Sequence, residues 1–389
     1  MATWYFEGGD LTKPYDYIDP HGTIATTLPS SGDLVIGGGD MFGNLSVGTF
    51  QVGDLTSGML TVDVADRVST SGGQVSAQSA PNGAWASNGG SFKVGGTISS
   101  STTAESGGII SAAAIINTEF GLGILSSGAG SSISAPDISG PVDAVNAGSV
   151  DVTTLTGYAN AAGGIITATT ILGSGGASAG GTVNATAITQ GPSDFIGVSA
   201  SSGGTIIAVN VVNAETSNAL PTTNVVSIGV GGTGQVQNLY STGVTGMDNS
   251  VDGGTLNVAN YDVASKVGLG NVLDIINGGT VNVTGSINIG ERDGDSTGIS
   301  ADASSFINLP GNLFKIGDAG SGDVYFGAVR SIPGADLGVQ ATGIGQIFEE
   351  SPTESLTIQN SLIDGDAGQC PSGDFVSHLS RLAADTIIA

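Results

Sequence analysis

A single cysteine, Cys370, and only eight basic residues are the first constraints on this chain of 389. One thiol excludes an intrachain disulfide, so the fold must hold without a covalent staple. With 8 Lys+Arg against 34 Asp+Glu the formal net charge is −26, a field that repels phosphate backbones and excludes nucleic acid as a partner. The same field would attract divalent cations and keep copies apart until salt or calcium screens it. Aromatics make up 5% and charged residues 11%, too few for a wide globular core or a heavily ionic surface. No apolar run approaches the roughly 18 residues of a membrane-spanning helix. The opening MATWYFEGGD has neither the basic nor the apolar region of a Sec-type signal peptide.

What the chain has instead is glycine, 66 of them, set in a recurring phrase. GGTVNVTGSINIG at Gly278–Gly290 shows it best: two glycines, then apolar residues at alternate places, Val281 and Val283, then Ile287 and Ile289. Alternation of this kind argues a strand with one buried face, and the glycine pair a tight corner. Related phrases carry a second-position glycine at 58, 73, 90, 108, 130, 148, 164, 181, 204, 234, 254 and 279. Self-similarity at a period near twenty is the mark of a solenoid. Helical repeats are excluded, because glycine costs about 1 kcal/mol against alanine inside a helix, whereas the Val, Ile and Thr between the glycines suit strands. The sequence therefore predicts an all-β chain: a single-stranded parallel β-helix of about twelve or more coils, with end caps. Residues 1–48 would form an N-terminal cap or interface segment, 49–309 the repeats, and 310–389 irregular coils and a cap or assembly segment ending in a short helix.

The open end of a solenoid exposes apolar interior and unpaired backbone, so it needs covering or a partner. Trp4, Tyr5, Phe6, Tyr15 and Tyr17 concentrate aromatic content at one end, while Phe375, Leu379 and Leu382 fall on one helix face near the other. Both groups are candidate cap or assembly surfaces. Thr and Asn recur beside the glycines (Thr182/Asn184, Thr205, Thr255/Asn257, Thr280/Asn282), where stacking would bond them into ladders. A Trp near a Gly-Gly pair, then Pro29, Gly32 and Asp33 before Leu34, Val35 and Ile36, resembles the start of bacterial β-strand-repeat proteins. These are surface or secreted β-helices similar to autotransporter passengers and type I-exported adhesins. The resemblance spans roughly residues 1–283 and implies a bacterial protein at the cell surface or outside the cell. The chain shows no C-terminal membrane barrel, so self-translocation is not implied. Its tail LAADTIIA, Leu382–Ala389, resembles a type I secretion signal.

Chemistry-bearing clusters are few. Asp293/Asp295 and Asp364/Asp366 have the D-x-D spacing with glycine that calcium loops use, without the position-twelve glutamate of an EF-hand. Calcium is the candidate ion for Asp293, Asp295, Asp364 and Asp366, and turn chemistry alone explains such Asp-Gly pairs more simply. No cofactor is required. Asp63/Asp66 or Asp248/Asp252 could pair carboxylates, but the scattered basic residues and sparse aromatics of the repeat do not outline the groove a glycan-cleaving β-helix needs. His21 and His378 lie near opposite ends, as surface histidines usually do. The expectation is a non-enzymatic extracellular structural protein. It would be a self-associating subunit of a filament, sheath or surface layer, or the rod of an adhesin, with other copies of itself or cell-surface and matrix glycans as partners. The alternatives are a glycan-binding or glycan-cleaving β-helix, or a phage fibre.

Overall fold

The computed structural model describes residues 3–6, 17–18, 21–25, 33–36, 39–44, 49–52, 54–66, 68–117, 123–190, 196–213, 224–241, 249–263 and 273–289. It also describes short strand segments at 299–301, 305–308, 313–316, 324–326, 329–330, 338–341 and 347–349. The chain forms two compact units, Met1–Thr169 and Thr170–Ala389. The described residues form strands and turns, with no helix.

In the first unit short and long strands alternate. The short ones, Ala84–Ser87, Thr102–Glu105, Ile124–Ser127, Val142–Val145 and Ala159–Ala162, pair in parallel, each with its counterpart one coil on. The long ones, Gln74–Ser79, Ser91–Ile98, Ile109–Ile116, Ser132–Ser139 and Ser149–Thr156, pair in parallel in the same way. The second unit repeats this plan from Thr182–Gln190 through Thr205–Asn213, Thr233–Ser241 and Thr255–Val263 to Thr280–Ile289. A strand that always bonds to the strand two places away returns to the same position once per coil. That is a single-stranded parallel β-helix.

The alternation is modified in an instructive way. In Ser149–Thr156 the buried residues are Val150, Val152 and Leu155, while Thr153 and Thr154 both turn outward. Two outward residues in succession mean that the strand bends there, and alternation restarts on a new wall. The buried rows then run straight along the stack: Phe92, Ile110, Ile133 and Val150 in one, Ile98, Ile115, Ile138 and Leu155 in another. Each such fully buried aliphatic side chain stabilises the stack by about 1.5–3 kcal/mol.

The glycine pair works as two different residues. In Ile276-Asn277-Gly278-Gly279 the amide of Gly279 donates to the carbonyl of Ile276 at 2.9 Å, with Asn277 at φ 53° and Gly278 at φ 78°. Positive φ at both central positions defines a type I′ turn, which favours Asn-Gly. Gly279 itself needs smallness: a Cβ there would strike the carbonyl oxygen of Val251 in the preceding coil. Three predicted corners shift accordingly, and the first, Gly58, lies inside the strand Asp54–Asp66 opposite Met41. Gly234 is not a corner residue but lies in the strand Thr233–Ser241 opposite Ile206 and Leu256; the corner of that coil is Gly231-Gly232. Gly130, at φ 80°, is the first member of its pair, and Ser131 fills the close-approach place.

Of the predicted ladders one rung, Asn257–Asn282, is seen, while Asn184 lies opposite Ile207, and a longer ladder runs where the sequence did not point. Asn282 donates to Asn257 at 2.7 Å beside the corner. A longer ladder lies at the bend, where Asn260 donates to Asn238 at 2.8 Å and Asn238 to Asn210 at 2.9 Å.

At the N-terminal end, Thr3–Phe6 pairs in parallel with Asp33–Ile36 and antiparallel with Tyr17–Ile18, which pairs antiparallel with Ile24–Ala25. This local reversal of direction departs from the coil pattern. On one face Phe6 and Tyr17 are buried and stacked, ring centroids 5.0 Å apart at 17°.

Candidate functional site

The outward side chains of the short strands in the first unit form one register column: Ser69, Trp85, Thr103, Leu125, Asp143 and Asn160. Neighbours along it are separated by one inter-strand spacing, about 4.8 Å. Trp85 stands outward because it alternates with the buried Ala84 and Ala86, and half of it is exposed. Its indole N–H donates to the Glu105 carboxylate, Nε1 to Oε1 3.2 Å, which tethers the ring toward the next coil. A groove of about 190 Å³ opens beside the ring, walled by Ser69, Asn82, Ser101 and Thr103 and floored by Val68 and Ala84. Gly83 completes the floor at φ +94°; any side chain there would collide with the Ser101 carbonyl.

At the other end of the column Asn160 donates to Asp143, Nδ2 to Oδ1 2.7 Å. Tyr158, partly exposed, has its phenol pKa raised above the ordinary 10.0, first by burial and then by the negative charge of Asp143. A raised folded-state value favours the neutral phenol. The associated stability is fully present below the unfolded value and is lost as pH rises through the folded one. The difference between near-ultraviolet titrations of the parent and of Tyr158→Phe should therefore show Tyr158 ionising later than free tyrosine, and Asp143→Asn should bring it part of the way back. A second groove, about 250 Å³, lies at the bend of three long strands, with Ser111, Ser134, Pro136, Asp151 and Thr153 among its lining.

Of the cap aromatics named from the sequence, Phe6 and Tyr17 are brought together and buried. Trp4 is partly exposed and Tyr5 is 51% exposed. Tyr5 lies opposite Ile18, and Ile18 opposite Ile24, all three exposed at 43% or more. Directly opposed residues share a face, so the cap has an apolar inner face and an apolar outer row. The isoleucines of that row were missed because period-two reasoning was applied to the repeats alone. Tyr15, Phe375, Leu379, Leu382, Asp293, Asp295, Asp364 and Asp366 lie outside the described residues, as do Cys370 and His378. His21 is exposed. Asp252 accepts a bond from Asn277 at 2.7 Å. Among the described residues no three of His, Cys, Asp or Glu gather as metal ligands, and no helix is long and apolar enough to cross a membrane.

Comparison with protein-family models, curated proteins and solved structures gives no match.

Proposed function

We propose that this chain is a non-enzymatic structural β-solenoid, an extracellular or cell-surface bacterial protein that associates with copies of itself into a filament, sheath or surface layer. The observation that carries the reading is the two-faced cap. Its inner aromatics, Phe6 and Tyr17, are spent on closing the fold, yet Tyr5, Ile18 and Ile24 remain in a contiguous exposed apolar row. Exposed apolar rows on ordered strands mark contact surfaces. The ladders agree with a cohesive role, since Asn210, Asn238 and Asn260 spend their amides on neighbouring coils.

The contact we assign is heterologous: the cap row of one copy against the region after Pro310 of the next, an arrangement that extends into open filaments. A net charge of −26 opposes it, so calcium or salt should promote it by screening. Electron microscopy and sedimentation of the full chain, with and without calcium, test the reading. Assemblies are expected that are favoured by calcium and weakened about tenfold or more by Ile18→Ser with Ile24→Ser, given the loss of two apolar side chains from the contact. Monomers under every condition would overturn it.

A further inference from the structure

The first unit carries a second surface of different chemistry, the groove beside Trp85, and it does not depend on the assembly reading. We propose that this groove binds a neutral sugar ring of a glycan chain, with the Trp85 indole as its stacking platform. The ring is large, exposed and tethered by its bond to Glu105. A tethered platform loses less freedom on binding than a mobile one. The face of an indole is electron-rich and attracts the polarised C–H groups of a sugar's apolar side.

The lining sets the class of ligand. Ser69, Ser101, Thr103 and Asn82 are neutral hydroxyl and amide residues at the groove wall, the chemistry that meets sugar hydroxyls. Among the described residues no charged one lines the groove, and the Glu105 carboxylate sits on the indole N–H. An acidic sugar would meet that carboxylate and the −26 field of the chain. A quaternary ammonium would find one aromatic face rather than the cage of several that such cations use. The volume, about 190 Å³, is below that of sites for drug-sized ligands and suits a single ring. Past Thr103, outward Leu125 and Asp143 continue the column beyond the groove, so the rest of a chain can run along the coils.

The full-length protein should be titrated by calorimetry with maltohexaose, cellohexaose, mannohexaose and chitohexaose, and with hexagalacturonate and choline for comparison. At least one neutral hexasaccharide is expected to bind in the millimolar range or tighter. Trp85→Ala should weaken that binding about tenfold or more, and Trp85→Phe less. Tyr240→Ala, another exposed aromatic but in the second unit, should leave it unchanged. Circular dichroism confirms that each variant is folded. The assignment is overturned if no neutral hexasaccharide binds, if folded Trp85→Ala binds as well as the parent, or if hexagalacturonate or choline binds more tightly than any neutral chain. Neither result bears on assembly, which is read separately by sedimentation.

Discussion

Replacing Asn249, a buried asparagine of the second unit, by leucine should destabilise that unit by about 3–5 kcal/mol. Asn249 is fully buried. Its Oδ1 accepts from two successive backbone amides, Val225 and Val226, each at 2.9 Å, and its Nδ2 donates to the Tyr261 hydroxyl at 2.9 Å. Its own carbonyl accepts from the Asp274 amide at 2.7 Å. The side chain therefore ties a buried residue of one coil to the backbone of the coil before it and to the core aromatic Tyr261. Leucine is of similar size and fills the space, but it strands two buried N–H groups, each costing about 1–3 kcal/mol. Tyr261→Phe removes one acceptor and keeps both amide bonds, so it should cost about 1 kcal/mol. Guanidinium unfolding followed by far-ultraviolet circular dichroism gives the comparison, and hydrogen exchange at Val225 and Val226 should rise in the leucine variant. A loss below about 1 kcal/mol for Asn249→Leu would show that these bonds do not hold the stack.

The second large effect concerns two neighbouring glycines in one corner. In Ser201-Ser202-Gly203-Gly204 the Gly204 amide donates to the Ser201 carbonyl at 2.8 Å, with Ser202 at φ 51° and Gly203 at φ 80°. A Cβ on Gly204 would collide with the backbone of Ala177 in the coil below, which cannot swing aside as a side chain could. Gly204→Ala should cost about 2–4 kcal/mol through overpacking. At Gly203 the space is adequate, since the nearest atoms to an added Cβ are the Gly180 amide nitrogen at 3.6 Å and Cα at 3.8 Å. Only its backbone conformation is demanding, and Asn tolerates the left-handed region, so Gly203→Asn should stay within about 1 kcal/mol. The same denaturation experiment separates them. Equal losses would mean that the corner is held by φ alone and not by the contact between coils.

The glycines of these corners were legible in the sequence, but their division of labour was not. A phrase such as GGTVNV announces a turn followed by a strand, because glycine and β-branched residues have backbone preferences of their own. Whether a glycine serves dihedral freedom or close approach depends on which atoms the preceding coil places beside it. Hence Gly234, read as a corner, lies in a strand, and Gly130, read as the second glycine of its corner, is the first, with Ser131 following it. The short strands left a faint trace for the same reason. Ala159–Ala162 reads ANAA and Gly175–Ser178 reads GGAS, too small and too weakly apolar to show a period. Ala159, Ala161 and Ala177 are nonetheless buried.

Trp85 shows the limit at the candidate site. Its identity was visible, one aromatic in a repeat with few, but nothing nearby marked it as exposed or tethered. Glu105, its partner, is twenty residues away and meets it only because the coils stack. At the cap, Trp4, Tyr5, Phe6 and Tyr17 formed one aromatic cluster in the sequence; pairing of the strands buried Phe6 with Tyr17 and left Tyr5 in an exposed row with Ile18 and Ile24.

Local chemistry was thus sufficient for the class of fold, the all-β repeat and the tight corners, since glycine at positive φ and alternating Val and Ile are properties of a residue and its near neighbours. The register between coils, the bend inside each long strand, the anchoring of Asn249 and the exposure of Trp85 and Tyr5 were decided by stacking. They depend on contacts between residues about one coil apart, and a chain with unequal loops does not record in its order which residues will meet.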